Sequence, residues 1–132
     1  MNETNESNSM DHDVVLLSNG NNGLDCHCKI PDCNSLIFRA DTAPLYKEER
    51  KLPLGDRVDT ISSFWRLDDV FKFENVTFTK ETQTEQGKIK YLACCDCEYG
   101  PIGYQNLENQ ICYVAIDRVK YCQPKIDGNS NS

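Results

Sequence analysis

Two cysteines separated by two residues and followed by a glycine constrain this chain more than any other feature. They are Cys94 and Cys97 in the stretch YLACCDCEYGPIGY, residues 91–104. A tight turn at that spacing presents both sulfurs to one ion, and Gly100 is expected to take the positive φ that closes it. The segment Lys88-Ile89-Lys90-Tyr91-Leu92-Ala93 reads as a strand running into this knuckle. One knuckle supplies two ligands, so the other two must come from elsewhere.

The other source is Asp25-Cys26-His27-Cys28-Lys29-Ile30-Pro31-Asp32-Cys33. Cys28 and Cys33 enclose four residues, with Cys26 and His27 as spare candidates. Together with Cys94 and Cys97 they make a Cys₄ tetrahedral zinc site of the closed, structural type. Sixty residues separate the two pairs, against about 15–20 in compact zinc ribbons. Free structural thiols are the competing reading. Cys95, Cys112 and Cys122 read as thiols outside the site.

With 132 residues the chain has room for one domain and its ends. Residues 1–22 and 123–132 are polar and read as disordered tails, because such composition buries too little apolar surface to offset its ordering entropy. The folded part is expected over residues 24–122, small enough to benefit from a metal staple. No signal peptide or apolar run of membrane-spanning length is present, so a cytoplasmic protein without membrane insertion is expected. In that setting eight cysteines point to metal ligands or free thiols rather than disulfides. The sequons at Asn2, Asn5 and Asn75 are then expected to carry no sugar. A net charge of −7 argues against a nucleic-acid partner.

Along the chain, Ser35–Arg39 reads as a short strand. Residues 41–60, with Pro44, Pro53, Gly55 and many charges, read as a long mobile loop. Ser62–Val70 reads as a helical turn with a serine cap. Phe71–Thr79 has a β pattern whose apolar parity changes midway, so a bulge or bend near Glu74-Asn75 is expected. It forms a hairpin with the strand at 88–94, and Ile111–Val119 is a further strand. The fold class is mainly β.

No catalytic group can be argued. His12 lies in the tail and His27 in the cysteine cluster, so no Ser–His or Cys–His pairing follows. A thioredoxin-like role for Cys94 and Cys97 would need a helix, which Gly100-Pro101-Ile102-Gly103 forbids. Trp65, Phe64 and Phe71 read as core more often than contact, although aromatics beside Asp68, Asp69 and Glu74 suit an interface anchor.

Three motifs in order, FENV-x-FTK at 73–80, C-x-x-C-x-x-GPIG at 94–103 and YVA-x-x-RV at 113–119, resemble the Rab-interacting factor family. These are small zinc-binding guanine-nucleotide exchange factors and chaperones for exocytic Rab GTPases. The resemblance covers residues 69–119 well and 28–38 more loosely. It implies a β-tent-like domain in which one zinc joins the two distant cysteine pairs, with no chemical active site. Cys28 and Cys33 enclose four residues, as in some fungal members, where the animal form has two. The family's GTPase-contacting surface carries over to Asp69, Val70, Phe71, Asn75 and Asp96, Val70 standing where the animal form has methionine. Implied too are a monomer that prefers the nucleotide-free form of a Rab-family GTPase and a role in vesicle transport. A zinc-dependent adaptor without exchange activity is the alternative.

Overall fold

The computed structural model describes residues 14–124. Of the expected tails, 1–22 and 123–132, the parts 1–13 and 125–132, with Asn2, Asn5 and His12, lie outside the described residues. Ten strands follow in order: β1 (Asp25–Cys28), β2 (Leu36–Phe38), β3 (Leu45–Leu54), β4 (Arg57–Leu67), β5 (Val76–Phe78), β6 (Thr82–Thr84), β7 (Gly87–Cys94), β8 (Gly103–Asn106), β9 (Ile111–Ala115) and β10 (Val119–Cys122). A 3₁₀ turn, Val70–Lys72, sits between β4 and β5. The mainly β class holds, and among the described residues there is no α-helix.

The strands make two antiparallel sheets. One has the order β10-β1-β2, and the other β3-β4-β9-β8-β7-β5 with β6 also pairing β7. Their facing sides close one core, in which Ile37 and Phe38 of the small sheet meet Trp65, Leu67, Leu92 and Val114 of the large one. The large sheet also buries its other side, through Leu52, Ile61, Phe64, Ile89, Tyr104 and Tyr113. Phe64 and Trp65 are therefore both wholly buried although they point to opposite faces. The sheet curls: Arg50 on β3 donates to Gln86, in the turn after β6, at 2.8 Å. Its guanidinium also lies 5.1 Å from the centre of the Tyr104 ring.

Three expectations are corrected. Residues 41–60 hold a long hairpin rather than a loop, with β3 and β4 paired from Leu45↔Trp65 to Leu54↔Arg57 and a one-residue register shift between Lys47 and Arg50. Its turn is the two-residue pair Gly55-Asp56, and Gly55 has φ 64°, the conformation that such tight turns demand. The charges misled because β3 is an edge strand whose Lys47, Glu49 and Lys51 face solvent. Ser62–Val70 is not a helical turn, since β4 runs through Leu67 and Ser63 is buried in it. Nor are residues 14–22 a disordered tail. They form a small turn bridged through Leu16↔Asn22 and Asn21↔Pro44. Buried Asn22 donates to Leu24 O and Arg39 O, and accepts from the N–H groups of Thr42 and Ala43. A fully satisfied amide of this kind organises backbone that composition alone reads as unstructured.

Candidate metal centre and the edge beside it

The small sheet carries one cysteine pair and the large sheet the other, and the two sheets meet so that all four sulfurs converge. The Sγ atoms of Cys28, Cys33, Cys94 and Cys97 lie within 4.8 Å of one another. Cys28 to Cys97 and Cys33 to Cys94 are each 3.5 Å apart. A disulfide would bring sulfurs to about 2.05 Å, whereas thiolates about 2.3 Å from a tetrahedral ion stand about 3.8 Å from each other. The cluster thus has the size and the all-sulfur donor set for a thiophilic metal ion.

The two knuckles share one local design. In the first, Cys28 N–H donates to Ser35 O at 2.7 Å, and Asn34 has φ 56°. In the second, Cys94 N–H donates to Tyr99 O at 3.0 Å, and Glu98 has φ 67°. Each loop therefore closes on the carbonyl two residues past its second cysteine, and the residue between takes the left-handed conformation. This overturns the expectation that Gly100 supplies positive φ. Gly100 is needed for space instead: a Cβ there would stand 3.0 Å from Ala93 Cβ and from Leu92 O. Gly103 is more constrained still, since a Cβ would meet Tyr113 O at 1.9 Å.

Cys26 and His27 stand apart from the cluster. Cys26 shares a face of β1 with Cys28 but is two residues, about 6.8 Å, along the strand. Its thiol is raised well above its ordinary range, chiefly by burial. The His27 ring places Nδ1 2.9 Å from Asn34 O. Burial also pushes the Cys28 thiol up, so protons compete with a metal for this sulfur, and ion uptake must release them. Affinity for the ion therefore falls as pH is lowered. Cys95 points to solvent, Cys112 is buried and Cys122 is half-buried.

Beside the knuckles runs the segment on which the remaining site residues were expected. Asp69 caps the 3₁₀ turn by accepting from Phe71 N–H at 2.9 Å. The capped turn thrusts Phe71 outward, 91% exposed, with Val70 37% exposed next to it. Phe73 then turns inward and packs edge-to-face on Phe38 and Phe78. The parity change in this stretch is made by the 3₁₀ turn and by a bend at Glu74-Asn75 just ahead of β5, the place where a bulge or bend was expected. Asn75 is half-buried, donates its amide to Leu36 O at 2.8 Å, and accepts Cys95 N–H on its backbone carbonyl at 3.0 Å. Asp96 is exposed and accepts from the Ser35 hydroxyl, which also lies 3.3 Å from Cys33 Sγ. Ser35 escaped the sequence reading, although its place two residues past Cys33 parallels that of Tyr99 past Cys97.

Residues 21–121 match the Mss4 protein family. The chain belongs to the Mss4 family. A Drosophila melanogaster relative named guanine nucleotide exchange factor MSS4 homolog is 35% identical over 113 residues, which cover 78% of this chain and 88% of that protein. A Schizosaccharomyces pombe relative of the same name is 44% identical over 46 residues, covering 35% of this chain and 43% of the relative. The family is thus one of guanine nucleotide exchange factors, as the three motifs imply. Among the described residues no helix is long and apolar enough to cross a membrane.

Proposed function

We propose that this chain is an exchange factor and chaperone for a Rab-type small GTPase, acting in vesicle transport from the cytoplasm. The observation that carries the reading is Phe71, an aromatic ring 91% exposed on a capped turn in a domain of the Mss4 family. A large apolar side chain held in water by a rigid turn suits an anchor for a partner's pocket. Asp69, Val70, Asn75 and Asp96 complete the partner edge. Zinc is the ion best matched to four cysteine sulfurs. Held by Cys28, Cys33, Cys94 and Cys97, it would supply a rigid cross-link between the two knuckles and no reaction chemistry.

The mechanism follows from binding alone. A GTPase grips its nucleotide through phosphate-cradling backbone, a lysine and Mg²⁺. A partner loosens that grip by favouring a conformation in which those elements are displaced. Linkage then makes the effect reciprocal: the factor by which this protein weakens nucleotide is the factor by which nucleotide weakens this protein. The test is titration of complexes with nucleotide-free Rab GTPases using GDP or GTP with Mg²⁺. Tight binding to the empty form and release on adding nucleotide are expected. Equal affinity for empty and loaded forms would leave a zinc-dependent adaptor without exchange activity.

Phe71→Ala should weaken binding to the empty GTPase by about 30-fold or more, the loss of an aromatic hot spot being about 2 kcal/mol. Because the ring is exposed, the melting temperature should stay within about 1–2 °C of wild type. A mutant that melts much earlier would place Phe71 in the fold instead of the interface.

A further inference from the structure

Ser35 stands where the metal centre and the partner edge touch. Its hydroxyl is 3.3 Å from Cys33 Sγ and within hydrogen-bond reach of Asp96. A serine hydroxyl carries one hydrogen, and a carboxylate is the strongest acceptor in reach. The donation therefore goes to Asp96. The next residue, Leu36, receives the Asn75 amide on its carbonyl at 2.8 Å. From the other side, Cys95 N–H donates to Asn75 O at 3.0 Å, and Glu74 N–H to Ile37 O at 2.8 Å. Three consecutive residues, Ser35 to Ile37, thus hold Asp96, Asn75 and Glu74 in turn. They leave directly from the first knuckle, so their position is set by where Cys33 is anchored.

We infer that Ser35 is a positioning residue for the partner edge: its hydroxyl fixes the Asp96 carboxylate and carries the order of the metal knuckles to the surface that meets the GTPase. This rests on the reading proposed above for Asp96. An Asp96 free to rotate in water would have to be ordered on binding, whereas one already held by Ser35 meets its partner without that cost. The geometry also assigns the metal a second task besides stability. An ion joining the two knuckles would help to keep Ser35, on one, facing Asp96, on the other, across 61 residues of sequence.

A double-mutant cycle on metal-loaded full-length protein tests this, with zinc content measured for every variant. Ser35→Ala should weaken binding to a nucleotide-free Rab GTPase about tenfold, as expected for loss of one hydrogen bond to a charged group. It should do nothing further in an Asp96→Ala background, because its effect passes through that carboxylate. Ser35→Thr, which keeps the hydroxyl, should restore most of the affinity. Amide hydrogen exchange needs no partner: Ser35→Ala should speed exchange at 95–98 about tenfold and leave β9 unchanged. Additive losses in the cycle, or unchanged exchange at 95–98, would overturn the assignment. Lost zinc in Ser35→Ala would also overturn it, making Ser35 a support of Cys33 alone. If wild type binds no GTPase, the exchange measurement still decides whether Ser35 holds Asp96, and the failure belongs to the proposed function.

Discussion

Cys94→Ser should cost the domain more than about 4 kcal/mol of stability, and a strong chelator should lower the melting temperature of wild type in the same direction. Cys94 ends β7 and is wholly buried, as is Cys28 at the end of β1. The two strands belong to different sheets, so the ion would fasten the sheets together at one end of the shared core. Structural zinc contributes about 10–16 kcal/mol to the folding of isolated finger peptides. The figure here is smaller, because Trp65, Phe38, Leu67 and their neighbours already hold the sheets by packing. It still approaches the whole margin of a small domain, which is about 5–15 kcal/mol. Cys95→Ser is the internal control. Its sulfur lies outside the cluster and points to solvent, so a change below about 0.5 kcal/mol is expected. Elemental analysis beside calorimetric melts, with and without chelator, makes the measurement. Protein that was never exposed to chelator, holds no zinc and is indifferent to Cys94→Ser would exclude the metal centre.

The parts of this arrangement that were legible in the sequence are those where chemistry and period agree. Cys94-x-x-Cys97 at the end of an alternating run announced both a strand and a ligand pair. Cys28 and Cys33 stood out as the second pair with Cys26 and His27 left as spare candidates, and it was the family resemblance that implied one ion joining the pairs despite the long separation. What stayed hidden is where one residue serves two faces or two roles. β4 has adjacent apolar residues, Phe64 and Trp65, because a curled sheet buries both its sides, and such a pair carries no strand period. β1 was masked by its own cysteines and His27, which read as ligands before they read as a strand. β3 was masked by Lys47, Glu49 and Lys51, although Gly55-Asp56 marked the hairpin turn. The left-handed residue of each knuckle went to Asn34 and Glu98, since an asparagine tolerates that conformation and a short closing hydrogen bond can impose it on a glutamate. Phe71 is the reverse case: sequence offered a core aromatic or a contact, and only the capped turn at Asp69 shows the ring facing water.

Arg118→Ala should destabilise the domain by about 3–5 kcal/mol, the cost of removing a buried guanidinium that makes four hydrogen bonds. Its side chain is 3% exposed. One guanidinium nitrogen, Nη1, donates to Pro53 O and to Pro101 O, each at 2.8 Å. The other, Nη2, donates to Leu52 O at 2.9 Å and to Asp59 Oδ2 at 3.1 Å. Four acceptors from three places in the chain thus converge on one planar cation: the far half of β3, the adjoining part of β4, and the turn between the second knuckle and β8. Truncation would take this donor away from three backbone carbonyls. Arg118→Lys keeps the charge but loses the fork, so it should recover only part of the loss. Asp59 adds a dependence on acid. Its carboxyl is held below the usual range by the Arg57 hydrogen bond first and by Arg118 after it. A lowered carboxylate pKa contributes stability that is present above the unfolded value, about 3.9, and is lost as pH falls through the lower folded value. Wild type should therefore lose stability below about pH 4, and Arg118→Ala should lose less of it there because part of the Asp59 shift is already gone. Urea unfolding of the three proteins at neutral pH and below pH 4 measures both effects. An alanine variant within about 1 kcal/mol of wild type would mean that the guanidinium merely fills space, and that the hairpin β3–β4 is held by packing alone.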